Sequence, residues 1–469
     1  MAGERSTCLT VRAELPGRAV ARRQRFRLLC VVVDRGATAR TLQGCRMMTH
    51  QANQESVDRM TAANPVLVDV RPAGEALPID RHTILTSGAP LPWPAYTGGQ
   101  RRAIIGAALF EGLAADAAEA SARLADGEIT VEPCHDHGMV GSVTGVCSWS
   151  MPVLVVRDRV SGTTGHCTVY EGPHRRRLTY GLYDDAVREQ LLRIRDEIAP
   201  ALGDAVRAVG GVRLRPLIRS ALGMGDDLHS RTSAATLLLT RELRPALFDM
   251  DSPGRGRGLS DFLAMSDLFF LHVGMAAAKA TADAAARVPG SSVVTAMAVS
   301  EHEFAIRISG LGGRWFRAPL PPLRAKLFDG HTPDELAFMG GESMIMETIG
   351  LGGMSAAAAF SLQDYSGGTP EQMIETTLAM YEITLAEHPE YAIPYLGFRG
   401  VPTGIDARAV VETGHTPSIH MGASHHDGGH IGAGLLLAPI APFRDAVAAL
   451  DVEVAPGDMA TPQGEETRR

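Results

Sequence analysis

Apolar positions recur along this chain with two periods, and the changes of period divide it into three parts. The first part alternates. Residues 66–70 (VLVDV, opened by Asn64-Pro65), 128–132 (EITVE) and 151–156 (MPVLVV) have strand character, and 166–170 reads as the hairpin partner of the last. Helices are predicted over 51–63 and 114–125, the second closed by Gly127, and 101–110 is apolar and rich in small residues. From Asp184 the helical period takes over. Val187, Leu191, Ile194 and Ile198 share one face, and further helices are predicted over 200–209, 214–222, 233–243 and 267–288. Nothing between 181 and 288 reads as strand, and GRGRG at 254–258 reads as a mobile loop. Strands return at 292–299 and 302–309, a hairpin around Ser300-Glu301. Helices are then expected to start at 352–361, to run over 371–387 behind Thr369-Pro370, and to close the chain at 443–450, with short strands at 416–420 and 434–439. The pattern predicts an α+β (mixed α/β) protein. Two α/β modules, 48–180 and 291–452, flank a small helical subdomain at 181–290, and a polar tail follows over 453–469.

Composition narrows the function. The chain has 469 residues, 45% of them apolar and 21% charged, which suits a globular protein with real cores. A net charge of −8 argues against nucleic acid as the main partner. No apolar run approaches the roughly 20 residues of a membrane span, and the best candidate, 431–441, contains Pro439. The cysteines are scattered, so a disulfide framework is not expected and a reducing cytoplasm is. Arginine outnumbers lysine so heavily, with only Lys279 and Lys326 present, that arginine content alone says little. The segment 1–47 is arginine-rich with few acids (Glu4, Glu14, Asp34) and is expected to be a disordered, dispensable leader or a start called too early, the native chain then beginning at Met47 or Met48.

Five polar stretches carry the candidate chemistry. At 133–152, Cys134, His135, Asp136 and His137 lie in a Gly-rich turn between strands. The HxH spacing admits a metal, but general acid/base work or hydrogen bonding to an anion suits His135 and His137 better. At 341–355, Glu342 and Glu347 precede Gly352, Gly353 and Ser355, where backbone N–H groups at a helix start would attract an anion. Arg399, beside Asp406, offers a planar fork for carboxylate or phosphate, and Arg307 offers another. Asp226, His229 and Arg231 join two helices in MGDDLHSR. His425, His426, Asp427 and His430 form the densest histidine cluster, which admits a metal if it folds as a tight loop.

In their order these stretches resemble the YlbE-like family, whose better understood members are similar to a subunit of oxamate carbamoyltransferase. The matching phrases include Gly88-Ala-Pro-Leu-Pro-Trp93, PCHDH, MGDDLHSR, Ile306-Arg-Ile-Ser-Gly310, GLGGMSAAAA, FRGVPTGID and IGAGLLLAP. The resemblance implies reversible carbamoyl transfer between carbamoyl phosphate and oxamate, in allantoin (purine) catabolism, by a multi-subunit bacterial enzyme. It implies companion subunits, an oligomer and no cofactor.

Three readings follow. The first is a transferase subunit for a small anionic amide, with no resident metal. In it His137, His135 and Glu347 are catalytic, and Gly352, Gly353, Ser355, Arg399, Arg307, Asp226, His229, Arg231 and Asp406 bind substrate or anion. The second is a metal-dependent amide hydrolase built on the histidine clusters. The third is a non-catalytic assembly subunit that binds ligand.

Overall fold

A computed structural model describes residues 35–250 and 252–454, with side chains from 49 onward except at 253. The sheets and buried core lie within Cys45–Arg469. Helices and sheets are mixed, as expected. Of the leader, residues up to 34 lie outside the described residues. The helix Arg35–Ala62 includes the remainder of that segment. Most of the polar tail, from 455, is likewise outside the described residues.

The apolar strands near the N-terminus build a four-stranded antiparallel sheet in the order Thr164–Thr168, Pro152–Asp158, Pro65–Pro72, Val212–Arg213. The last is a two-residue strand inside the stretch expected to be wholly helical. It forms because Pro65–Pro72 still has a free edge there, met by Val66 and Leu67. The helix Phe269–Ala284 packs on this sheet and buries every residue except Asp283. A helix this apolar and buried on all sides belongs in a core, and its alanines allow very close approach. A Cβ placed on Gly165 would lie 2.1 Å from the Ala276 carbonyl oxygen.

Three further assemblies position the polar stretches. Thr83–Thr86 and Thr130–Pro133 pair in parallel and deliver the chain into the 3-10 turn Cys134–His137, ended by Gly138 at φ 66°. Val294–Val299, Glu303–Ile308 and Phe316–Pro319 form a meander, the first two being the predicted hairpin. Ser418–His425 and His430–Leu437 form the central hairpin of a second four-stranded sheet.

Three local expectations are corrected. GRGRG is not a loop but part of the helix Pro253–Ala264, where Gly256 lets the backbone close on the preceding helix; a Cβ there would be 2.1 Å from the Leu247 carbonyl oxygen. The helix expected over 371–387 stops at Met380, and Thr384–Ile393 becomes a strand paired with Arg399–Ile405, so tertiary pairing overrides a weak helical propensity. The GLGG stretch opens no α-helix. Gly352–Ala358 is a 3-10 segment broken at Ser355, whose backbone is non-helical. Among the described residues no single helix is long and apolar enough to cross a membrane.

Candidate functional site

Two imidazoles, each oriented by a carboxylate, meet in the interior. The turn after the helix Leu214–Gly223 carries Asp227 and His229. The short helix Ile345–Thr348 carries Glu347, and the strand Ser418–His425 carries His420. His229 Nδ1 lies 2.8 Å from Glu347 Oε1, and His420 Nδ1 lies 2.6 Å from Asp227 Oδ2. The pairs interlock, because Glu347 Oε1 also accepts the backbone N–H groups of Gly353 (2.8 Å) and His420 (3.1 Å). Asp227 further accepts the N–H of Arg231 (2.7 Å), and its carbonyl accepts the N–H of Gly352 (2.8 Å). Both carboxylates are fully buried.

A ring whose Nδ1–H donates to a carboxylate presents a bare Nε2 when neutral. Neither Nε2 has a partner among the described residues. Burial works to lower the His229 pKa, but contact with the Glu347 carboxylate, and Asp227 nearby, outweigh it and hold it above its ordinary value. Burial alone would raise Asp227; the hydrogen bond and charge of His420, then His229 and the Arg231 N–H, bring it below the usual carboxylate range. Asp226 beside it is pushed up to about 6 by burial, although Arg231 (2.8 Å) and the N–H groups of Ala234 and Ala235 oppose the shift.

An aromatic wall adjoins this centre. On the strand Ser418–His425, residues 418, 420, 422 and 424 share one face, and Gly422 is its one exposed member. A Cβ on Gly422 would lie 3.1 Å from the Tyr180 hydroxyl. Tyr180 stacks on His430 (5.2 Å between centroids), whose Nε2 meets the Tyr365 hydroxyl at 3.2 Å. Burial and the nearby Arg177 push His430 down to about 4, so this ring is neutral.

The PCHDH turn forms a separate group. His135 is buried, and burial, then Lys279 and Arg307, hold its pKa well below the ordinary value. Among the described residues its ring nitrogens have no hydrogen-bond partner, and its ring meets Trp315 edge-on at 5.4 Å. Arg307 stacks on Trp315 (4.1 Å) and pairs with Asp136, while His137 Nε2 meets Glu132 at 2.6 Å. Glu342 ties this region to the neighbouring loops by accepting the N–H groups of Gly88 (3.1 Å) and Gly141 (2.9 Å); burial pushes it up to about 8.

The structure thus joins Glu347, His229, Gly352 and Gly353, with Asp226 and Arg231 alongside and Ser355 buried nearby, and it groups His135, His137 and Arg307 elsewhere. Arg399 and the Gly352 and Gly353 amides, each expected to bind an anion, are already engaged. Arg399 is exposed, bound by both Nε and a terminal nitrogen to Glu387 and stacked on Tyr381 at 3.7 Å, and the Gly352 and Gly353 amides are spent on Asp227 and Glu347. Asp406 is engaged elsewhere: it caps the helix Ala407–Thr413 and accepts the Ser292 hydroxyl (2.6 Å). His425, His426 and Asp427 gather within 4.8 Å at the hairpin tip, two of the three exposed, but His430 points into the aromatic wall, so the four do not form one cluster.

The comparisons agree with one another. Residues 129–343 match the family described as oxamate carbamoyltransferase subunit AllG. The Escherichia coli (strain K12) protein of that name is 37% identical over 407 residues, 85% of this chain and 97% of the relative. The chain belongs to the AllG family. Uncharacterized protein YahG from the same organism is 38% identical over 400 residues, 84% of each protein. The crystal structure of a conserved protein of unknown function from Enterococcus faecalis V583 has the same fold, with TM-score 0.84, 37% identity, and coverage of 87% of this chain and 98% of the other.

For this AllG-family chain the sequence reading missed Asp227, His420, Tyr180 and Tyr365. A signal for His420 existed. Ser418, His420, Gly422 and Ser424 make one strand face polar, while Ile419, Met421 and Ala423 make the other apolar. Such a face normally meets water, yet here His420 is buried.

Proposed function

We propose that this AllG-family chain is a subunit of a carbamoyltransferase-type enzyme of the cytoplasm. It holds a small anionic amide, oxamate or its carbamoylated product, against the His229–Glu347 and His420–Asp227 pairs. The observation that carries the reading is the interlocked pair of buried imidazoles with unpartnered Nε2 atoms. In the forward direction the amide nitrogen attacks the carbamoyl carbon, loses a proton, and phosphate departs. His420, fixed by Asp227, accepts that proton at Nε2. His229, kept prone to protonation by Glu347, offers a charged donor to the oxygen on which negative charge develops. The family name supports companion subunits, with which the chemistry is completed.

The test is carbamoyl transfer to oxamate, and phosphorolysis of oxalurate, by the chain assembled with its companion subunits. His420→Asn and His229→Asn are each expected to lower kcat by about 100-fold or more, the usual contribution of a positioned acid or base. Rates within twofold of wild type in both variants would place the chemistry elsewhere.

A further inference from the structure

Among the described residues two cationic side chains are buried, Lys279 and Arg177. Lys279 has a counter-ion, Asp283 at 2.8 Å. Arg177 has no direct ion pair: it is 8% exposed, and its adjacent acid, Glu171, acts on it electrostatically without reaching ion-pair distance. Its Nε donates to the His174 carbonyl oxygen, and the guanidinium faces the rings of Tyr170 (4.8 Å) and Tyr180 (5.5 Å). The adjacent acid, Glu171, is occupied by the N–H groups of Leu178 (2.8 Å) and Thr179 (2.9 Å) and by the Thr179 hydroxyl. A guanidinium cannot shed its charge, and burying it uncompensated is costly. Two tyrosine faces offset part of that cost but do not neutralise it.

The surroundings show where a counter-charge would sit. Tyr180, under the guanidinium, runs through His430 to Tyr365, and its unpartnered hydroxyl faces Gly422, on the strand face that carries His420. Tyr365 lies within electrostatic range of both Arg177 and Asp227. Gly422 is the exposed member of that strand face, and the Tyr180 hydroxyl and the His430 ring close over it.

We propose that Arg177, on its Tyr170–Tyr180 platform, is the receptor for the oxyanion group, carboxylate or phosphate, of the small ligand that reaches His229 and His420. The planar fork suits bidentate contact with either group, and the ligand supplies the direct ion pair that the fold lacks. This deepens the reading of the same site given above. It is separable from that reading, because oxyanion binding is measured on the chain alone and requires no transfer.

Calorimetric titration of the full chain with oxamate and, separately, with inorganic phosphate tests it, using wild type, Arg177→Lys and Arg177→Gln. Wild type is expected to bind at least one of the two, more weakly as chloride rises. Binding of oxamate alone assigns the receptor to a carboxylate, and of phosphate alone to a phosphate group. Arg177→Gln is expected to weaken the bound anion at least tenfold, with Arg177→Lys between the two. Without anion, Arg177→Gln is expected to melt close to wild type, since the guanidinium has no direct ion pair to lose. Failure of wild type to bind either anion, or binding by Arg177→Lys and Arg177→Gln within twofold of wild type, overturns the proposal. Should Arg177→Gln not fold, Arg177→Lys alone decides by the same criterion. Arg177-dependent binding without carbamoyl transfer in the assembly would keep the receptor and remove the transferase reading. Transfer at unchanged KM in Arg177→Gln would do the reverse.

Discussion

At the scale of single residues, burial gives this protein its unusual titrations. The His229 pKa is raised, so its contribution to stability is complete below the unfolded value of about 6.5 and is lost as pH rises through the folded value. Asp227 is depressed, so its contribution is present above about 3.9 and is lost as pH falls through the folded value. Glu347→Gln leaves an imidazolium without its buried partner and is expected to cost about 3 kcal/mol in urea denaturation near pH 6. The difference from wild type should narrow as pH rises past the His229 pKa. A pH-independent difference would show that the carboxylate acts by shape alone. Glu342 behaves oppositely to an ordinary surface acid. With its pKa pushed up to about 8, the folded state favours its neutral form, and the stability it contributes falls as pH rises from about 4.5 to about 8. Relative to wild type, Glu342→Gln should therefore gain stability across that window and change little on either side of it. A flat difference in parallel denaturation curves would mean that the Gly88 and Gly141 amides keep the carboxylate ionised.

At the scale of elements, close backbone approach rather than side-chain bulk sets the packing around the central helix. Gly165→Ala would drive a Cβ to 2.1 Å from the Ala276 carbonyl oxygen, and the strand or the helix must shift. A loss of about 1–3 kcal/mol is expected. Gly223→Ala, at the end of the helix Leu214–Gly223, meets nothing within 4 Å and should be neutral or stabilising by a few tenths to about 1 kcal/mol. Thermal or chemical denaturation of the two variants side by side checks the contrast; equal effects would mean that the helix–strand contact is loose. The same reasoning explains GRGRG. Read locally, its glycines and arginines favour a loop, but Gly256 is where two helices touch.

At the scale of the whole molecule, hydrogen-bond donors surround the buried carboxylates. Glu347 and Asp227 receive ring and backbone N–H groups from His229, His420, Gly353 and Arg231, and a metal ion would have to displace several of them. The purified chain is therefore expected to carry well under one equivalent of zinc, iron or manganese, and EDTA should leave its melting temperature unchanged. Stoichiometric metal lost on Glu347→Gln would contradict the hydrogen-bonded arrangement.

Much of this was legible locally. Alternation over 66–70 and 151–156, the hairpin around Ser300-Glu301, the helical face through Val187 and Ile198, and the candidacy of His229 and Glu347 all follow from period and residue type, which act over a few neighbours. The site itself does not. His229 meets Glu347 across 118 residues, and His420 meets Asp227 across 193. Nothing in the local pattern of MGDDLHSR names its partners, and SIHMGAS reads as an ordinary half-exposed strand. Which polar face is buried, which arginine loses its water and which glycine amide is spent internally are fixed only when sheets and helices pack. The cost of burying charge favours Arg399 in solvent with Glu387, whereas packing holds Arg177 inside among tyrosines without a direct ion pair.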